Sequence, residues 1–431
     1  MDARLREHDG LMRMLNDILD ALARDPALWQ DFNALCDCGG RRAGTESERL
    51  GLDAAYARLA AIAPARAQRI PVPYAGWRND RATLTRLDDG TALAANALLG
   101  AQPGALEAEV IDLGQGRPAD FDAAGDAVRG RIALVRHEYP FATDHVHRRK
   151  KLAMAMERGA VGYVIANPWP GGGLLSGSSG RGGAAGIPAI STDFASAQRL
   201  AARDGRRPRI RITLVGEDFA AQTDVLVLDL PAPSDERVVL SAHVDGHDLA
   251  ESALDNATGV AVALALARAF APHIRHCPRG LRVCLFSAEE WALAGSRVYL
   301  ERMETGDRGK LAFNLNLDTV GGSPRLTALT SGFRGLPAFV RDAAATVGAG
   351  VGIHEPLMQS SDHYNFARHG IPALRLVAGF NDDASRVRNI LSAGDLRGLT
   401  DAAELAAAAR TAAALLWRAL NATPAELAAL R

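Results

Sequence analysis

The chain has 431 residues, with 49 basic against 50 acidic side chains, a formal net charge of −1, 48% hydrophobic and 23% charged residues. That length exceeds what one core usually fills, so two domains are expected. The composition is that of an ordinary globular protein, and the balanced charge gives no electrostatic case for nucleic acid or an anionic membrane as a bulk partner.

Near the N-terminus, Leu11, Met12, Leu15, Ile18, Leu19 and Leu22 recur at helical spacing. This pattern predicts an amphipathic helix rather than a secretory signal. With no signal in view, a cytoplasmic location and reduced thiols are expected. Cys36, Cys38, Cys277 and Cys284 match no common zinc-knuckle spacing, and Cys284 lies in an apolar run that reads as core. No run of about 18 uninterrupted apolar residues occurs, so no membrane span is expected. The glycines of 39–44 predict a turn. Thr45 followed by Glu48 has the capping-box pattern, opening a helix that carries Leu50, Leu52, Ala55 and Leu59. A strand-rich stretch follows over 83–99.

Between about 107 and 215 the texture changes. Short β-like runs at 132–135, 161–166, 187–190 and 210–215 alternate with glycine-rich loops, with one helical stretch over 149–158. Residues 170–186 are mostly Gly, Ser and Ala and predict a loop. This zone reads as an inserted module. From about 224 onward, apolar runs at 225–230, 238–241, 281–286, 311–317 and 371–377 predict strands. Helical stretches at 258–270, 336–347 and 402–420 lie among and after them. The fold class expected is α/β, a mixed, mostly parallel sheet flanked by helices with a β-rich insert. The boundaries expected are 1–106, 107–216 and 217–431.

Five residues of metal-ligand type, His243, Asp255, Glu290, Asp318 and His363, occur at or near the ends of these apolar runs. A parallel sheet would gather them at the crevice where open α/β sheets bind ligands. Two imidazoles and three carboxylates suit zinc, and their number suits two ions better than one. Asp245, two residues beyond His243 on an extended chain, points the same way and can accept the outer N–H of that imidazole. Asp255 could bridge two cations, although alone it reads first as a helix N-cap or turn residue. Glu289 adjoins Glu290 and is free to act as a base. His247 and Asp248 read as loop residues near the mouth, with substrate contact open. The basic run 145–151 reads as a solvated loop or helix start, with contact to a substrate carboxylate as the minority alternative.

Taken together, the chain resembles the two-zinc exopeptidase family that includes secreted bacterial aminopeptidases and plasma glutamate carboxypeptidase. The motifs are His243-Val-Asp245, Leu254-Asp-Asn256 with Gly259, Ser287-Ala-Glu-Glu290, Gly295-Ser296 with Tyr299, Leu317-Asp318, and Ser361-Asp-His363 with Phe366. The resemblance implies that His243 and Asp318 hold one Zn2+, Glu290 and His363 the other, and that Asp255 bridges them. It further implies that Glu289 is the general base and acid, and that Asp245 orients His243. The middle zone resembles the protease-associated (PA) domain often inserted in that family, at 128–136, Lys151, 159–162 and 187–190. In one respect the chain departs from the family. Many relatives carry Tyr-His-Thr after the strand that follows position 363, whereas this chain has Gly379-Phe-Asn-Asp-Asp383.

The function implied is that of a zinc-dependent exopeptidase, an aminopeptidase first, with two Zn2+ per chain and peptides as substrates. A dipeptidase, carboxypeptidase or N-acyl amino acid hydrolase on the same site is the nearest alternative. A one-zinc glutaminyl cyclase and an inactive binding protein on this fold rank behind. Oligomeric state, including a homo-oligomer, stays open.

Overall fold

The structure is a computed structural model and describes residues 3–179, 186–201 and 206–431. Its strands join into one 14-stranded sheet. In half of this sheet the order is Val351–His354, Leu326–Leu329, Ala373–Ala378, Leu311–Leu317, Arg237–His243, Gly280–Phe286 and Arg209–Leu230. Arg237–His243 lies between Gly280–Phe286 and Leu311–Leu317, parallel to both, and Leu311–Leu317 is parallel to Ala373–Ala378. Four strands therefore end at the same edge, and every residue of Ala373–Ala378 is buried. Continuous apolar strands of this kind are the mark of a sheet covered on both faces.

The helix Thr258–Phe270 supplies much of one cover, and each of its residues except Arg268 is buried. Arg268 escapes burial by pairing with Asp25 and Asp31. The segment Ala253–Phe270 is long and apolar enough to cross a membrane, but 94% of it lies inside the fold, where it serves as a core helix. Helices Ala3–Ala23, Ala27–Asp37 and Ala402–Asn421 pack around it. The four cysteines are free.

The other half of the sheet is the inserted module. Gly104–Asp112, Ile132–Arg136, Gly162–Ala166 and Ala189–Thr192 run parallel in that order. Two long strands, Ala67–Arg86 and Arg209–Leu230, pair antiparallel and run through both halves. The runs 210–215 and 225–230, expected as separate strands, thus belong to one, and position 216 falls inside it. Residues 216–222 between them are exposed or half-buried while still paired to the other long strand, which is why the apolar pattern lapses there. Of the loop expected at 170–186, residues 170–179 and 186 are irregular, apart from bridges at Leu175 and Ser178, and 180–185 lie outside the described residues.

Hydrogen bonds fasten the module over the C-terminal edge of the sheet. Tyr139 donates its hydroxyl to the Gly379 carbonyl at 2.6 Å. Asn381 N–H reaches the Phe141 carbonyl at 2.8 Å, and Ser176 N–H the Leu391 carbonyl at 2.7 Å. The segment that replaces the family's Tyr-His-Thr stretch therefore serves as a landing for the insert.

Candidate metal centre

The C-terminal ends of the parallel strands give two groups of candidate donors that share one carboxylate. His243, Asp255 and Asp318 form one group; His247, Asp255 and Glu290 form the other. Within each, one ligand atom per residue lies within 4.8 Å of the rest, and all five side chains are buried. His243 Nε2 is 3.2 Å from Asp255 Oδ1 and 3.6 Å from Asp318 Oδ1. His247 Nε2 is 2.7 Å from Glu290 Oε1.

Local backbone conformation explains how strand ends become donor sites. His243 is the last residue of its strand. Ala288 (φ +55°) bends the chain sharply before Glu289 and Glu290, and Thr319 (φ +57°) does so after Asp318. Left-handed φ at such residues costs of order 1–3 kcal/mol and persists only where the surroundings over-determine it. Here the surroundings are specific. Asn256 donates Nδ2 to the Leu317 carbonyl at 2.9 Å, and its Oδ1 accepts the Thr319 N–H at 3.1 Å. Asp395 accepts the N–H groups of Leu254 and Asp255 at 2.8 and 3.2 Å. Arg41, fully buried, donates to the carbonyls of Leu35, Gly39, Val244, Glu251 and Ser252, tying the loop after His243 to the N-terminal helices.

Three residues are placed otherwise than the sequence reading expects. The first concerns His363, which belongs to neither donor group. Its two ring nitrogens lack hydrogen-bond partners, and burial together with Arg375 holds it down at about 3. It opens the helix His363–Arg368, with Asp362 at the N-cap before it. The second concerns His247, read from sequence as a loop residue at the mouth, which stands beside Glu290 as a donor. No sequence periodicity marks it, because 244–252 is irregular chain. The third concerns Asp245. His243 Nδ1 meets the Asp245 backbone carbonyl at 3.0 Å, while the carboxylate is farther away at 3.7 Å. A carbonyl only accepts, so that contact places the proton on Nδ1 and leaves Nε2 as the ligand nitrogen. The Asp245 carboxylate instead accepts the N–H groups of Glu289 and Glu290 at 3.1 and 3.2 Å. One capping detail differs as well. Thr45 Oγ1 accepts the Glu48 N–H, but the Glu48 carboxylate turns inward to Ser287, Thr223 and the Gly44 N–H.

The electrostatics ask for cations. Asp245, Asp255, Glu289, Glu290, Asp318 and Asp362 are all buried in one region. Burial first, then the neighbouring Glu290, pushes Asp255 up. Burial pushes Glu289 well above the usual carboxylate range; His243 opposes this, and Glu290, Asp318 and Asp362 add to it. Burial also raises Asp318 and Glu290, but Arg375 and His243 bring the first below its ordinary value and His247 the second. Burial opposes charge on His243 and His247, yet the surrounding carboxylates raise both. So many buried acids are stable only with positive charge among them. His243 Nε2 and His247 Nε2, though close to carboxylate oxygens, make no hydrogen bond to them, and His247 Nδ1 and both ring nitrogens of His363 are likewise without a partner. The residues present therefore fit bound divalent metal.

These donors lie inside the stretch, residues 225–415, that matches the family model described as Peptidase family M28. Residues 100–200 match the PA domain model. The chain thus matches M28 peptidases over a little under half of its length, with a PA-type module ahead of that stretch. It is 27% identical over 282 residues to the Mycobacterium tuberculosis protein described as "Probable lipoprotein aminopeptidase LpqL", which covers 61% of this chain and 53% of that protein. The chain thus spans a little over half the length of the curated relatives it matches. Among solved structures, the M28 peptidase precursor from Shewanella amazonensis superposes with a TM-score of 0.80 at 20% identity, covering 96% of this chain and 98% of that one. BSAP, described as a zinc aminopeptidase from Bacillus subtilis, gives 0.72 at 20% identity, covering 92% and 95%. These likenesses show the fold, the mixed sheet with its PA insert. Within the M28 fold the crevice at the strand ends holds both donor groups, and the PA domain roofs it.

Proposed function

We propose that the chain is a zinc-dependent exopeptidase, an aminopeptidase, that hydrolyses the peptide bond next to a chain end with two Zn2+ per chain. What carries the reading is the pair of donor groups joined at Asp255, with Glu289 beside them on the wall of a cavity of about 500 Å³. The M28 match and the description of LpqL support the same reading.

His243 and Asp318 would hold one ion and His247 and Glu290 the other, with Asp255 between. When bound, the ions supply Lewis acidity and a water of lowered pKa. Glu289 takes the proton of the attacking water and passes it to the departing nitrogen. Its burial keeps its affinity for that proton high, and nearby positive charge brings it back toward the working pH, as general base catalysis requires. Asp245 sets the backbone from which Glu289 projects. The PA domain covers the crevice and limits water.

Metal analysis together with a peptide-library digest read by mass spectrometry tests this. Two zinc per chain and single-residue losses from the amino end are expected. Glu289→Gln should retain the zinc and lose catalysis by at least about 100-fold, the usual scale of a general base. Endoproteolytic cleavage or loss from the carboxyl end would overturn the assignment.

A further inference from the structure

The cavity wall opposite the acidic donors is basic. It is built by the PA domain, where the helix Arg148–Glu157 opens with Arg148, Arg149 and Lys150. Arg148 is buried, and its Nε donates to the Ser178 carbonyl at 3.0 Å. Arg149 is half-buried and donates Nε to Ser178 Oγ at 2.8 Å, with Nη2 reaching the same oxygen. Neighbouring cations in this domain have acid partners: Lys151 and Arg117 both pair with Glu138. Arg148 and Arg149 have none within 4.0 Å among the described residues. The carboxylates that act on them are Glu289 and Glu290, farther off. Burial first, then Arg149, brings Arg148 down to about 10.

Two adjacent guanidiniums, one buried and one half-buried, without a counter-ion are costly unless an anion arrives. The planar fork of arginine fits a carboxylate in bidentate fashion. The lined space, about 500 Å³, falls within the range of small-ligand sites. Its two walls carry opposite charge, which complements a zwitterion.

We propose that Arg149, backed by Arg148, binds the carboxylate of a short peptide whose scissile bond lies at the donor groups. This rests on the hydrolytic reading above and narrows its substrates to di- and tripeptides carrying a carboxylate on the leaving side. The carboxylate is the C-terminal one or that of an acidic side chain.

The test uses the zinc-loaded full chain with Ala-Leu, Ala-Leu amide and Ala-Glu amide. Ala-Leu should exceed its amide in kcat/KM by on the order of ten- to a hundredfold, the scale of a charge-assisted bond, and chiefly through KM. Arg149→Gln should bring Ala-Leu down to the amide's value, and Arg149→Lys should restore part of the difference. Ala-Glu amide exceeding Ala-Leu amide shows that an acidic side chain serves; matching Ala-Leu amide, it assigns the site to the C-terminus. Equal rates for Ala-Leu, Ala-Leu amide and Ala-Glu amide in the parent, or an equal loss on all three in Arg149→Gln, overturn the proposal. Calorimetric binding of Ala-Leu and its amide to Glu289→Gln separates the two readings. If the parent hydrolyses nothing yet the acid binds more tightly, only the hydrolytic reading fails. If the affinities are also equal, both fail.

Discussion

Asp245 holds Glu289 and Glu290 in place, its two carboxylate oxygens accepting their successive backbone N–H groups at 3.1 and 3.2 Å. The side chain is fully buried and lies two residues past the end of the strand that neighbours the one leading to the glutamates. Asp245→Asn replaces one acceptor by an NH2 group aimed at an N–H. This should cost about 1–3 kcal/mol, the penalty of a buried donor left unsatisfied. It should lower kcat with little change in KM, because the base moves while the cavity walls stay. Denaturant titration and steady-state kinetics read both. A variant with unchanged kcat would show that the pair of bonds does not position Glu289.

The ligand set separates two histidines. His247→Ala should release one of the two zinc ions on dialysis, whereas His363→Ala should keep both. Elemental analysis after exhaustive dialysis gives the count directly. Zinc loss in the His363 variant with retention in the His247 variant would restore the assignment that the family resemblance implied.

Metal removal should couple to pH with a definite sign. In the metal-free protein Glu289 and Asp255 are raised, Asp362 is raised by burial to about 7, and His243 and His247 are raised. Groups whose folded pKa is raised bind more protons folded than unfolded. The stripped protein therefore loses stability as pH rises from about 6.5 to 8, above the range in which the lowered His137, His145, His147 and His363 act with the opposite sign. Glu290 and Asp318 are lowered, so their contribution is lost only below the ordinary carboxylate values, outside that window. Zinc binding displaces protons from its ligands and strengthens with pH. The gap in Tm between zinc-loaded and EDTA-treated protein should widen from about pH 6.5 to about pH 8. A gap that narrows contradicts the clustering of these groups around the ions.

Much of this was legible in the sequence because parallel strands buried on both faces leave unbroken apolar runs. The helix Thr258–Phe270 and the strand Leu311–Leu317 have the limits their patterns predict. His243 and Asp318 then follow as residues at or just past the last strand position. What was not legible depends on irregular chain. His247 lies four residues past His243 in a stretch with no period to read. Arg41 looks no different from Arg42 in a glycine-rich turn, yet one bonds five carbonyls from inside the fold while the other pairs with Asp248. The basic run 145–151 looked like a solvated helix start, since only the fold shows that the PA domain turns Arg148 and Arg149 toward the acidic donors.

Anomalous diffraction at the zinc edge from crystals of the metal-loaded protein tests the central claim most directly. Two peaks are expected, one among His243, Asp255 and Asp318, the other among His247, Asp255 and Glu290. A single peak, or a second ion bound by His363 with His247 remote from it, would contradict the account.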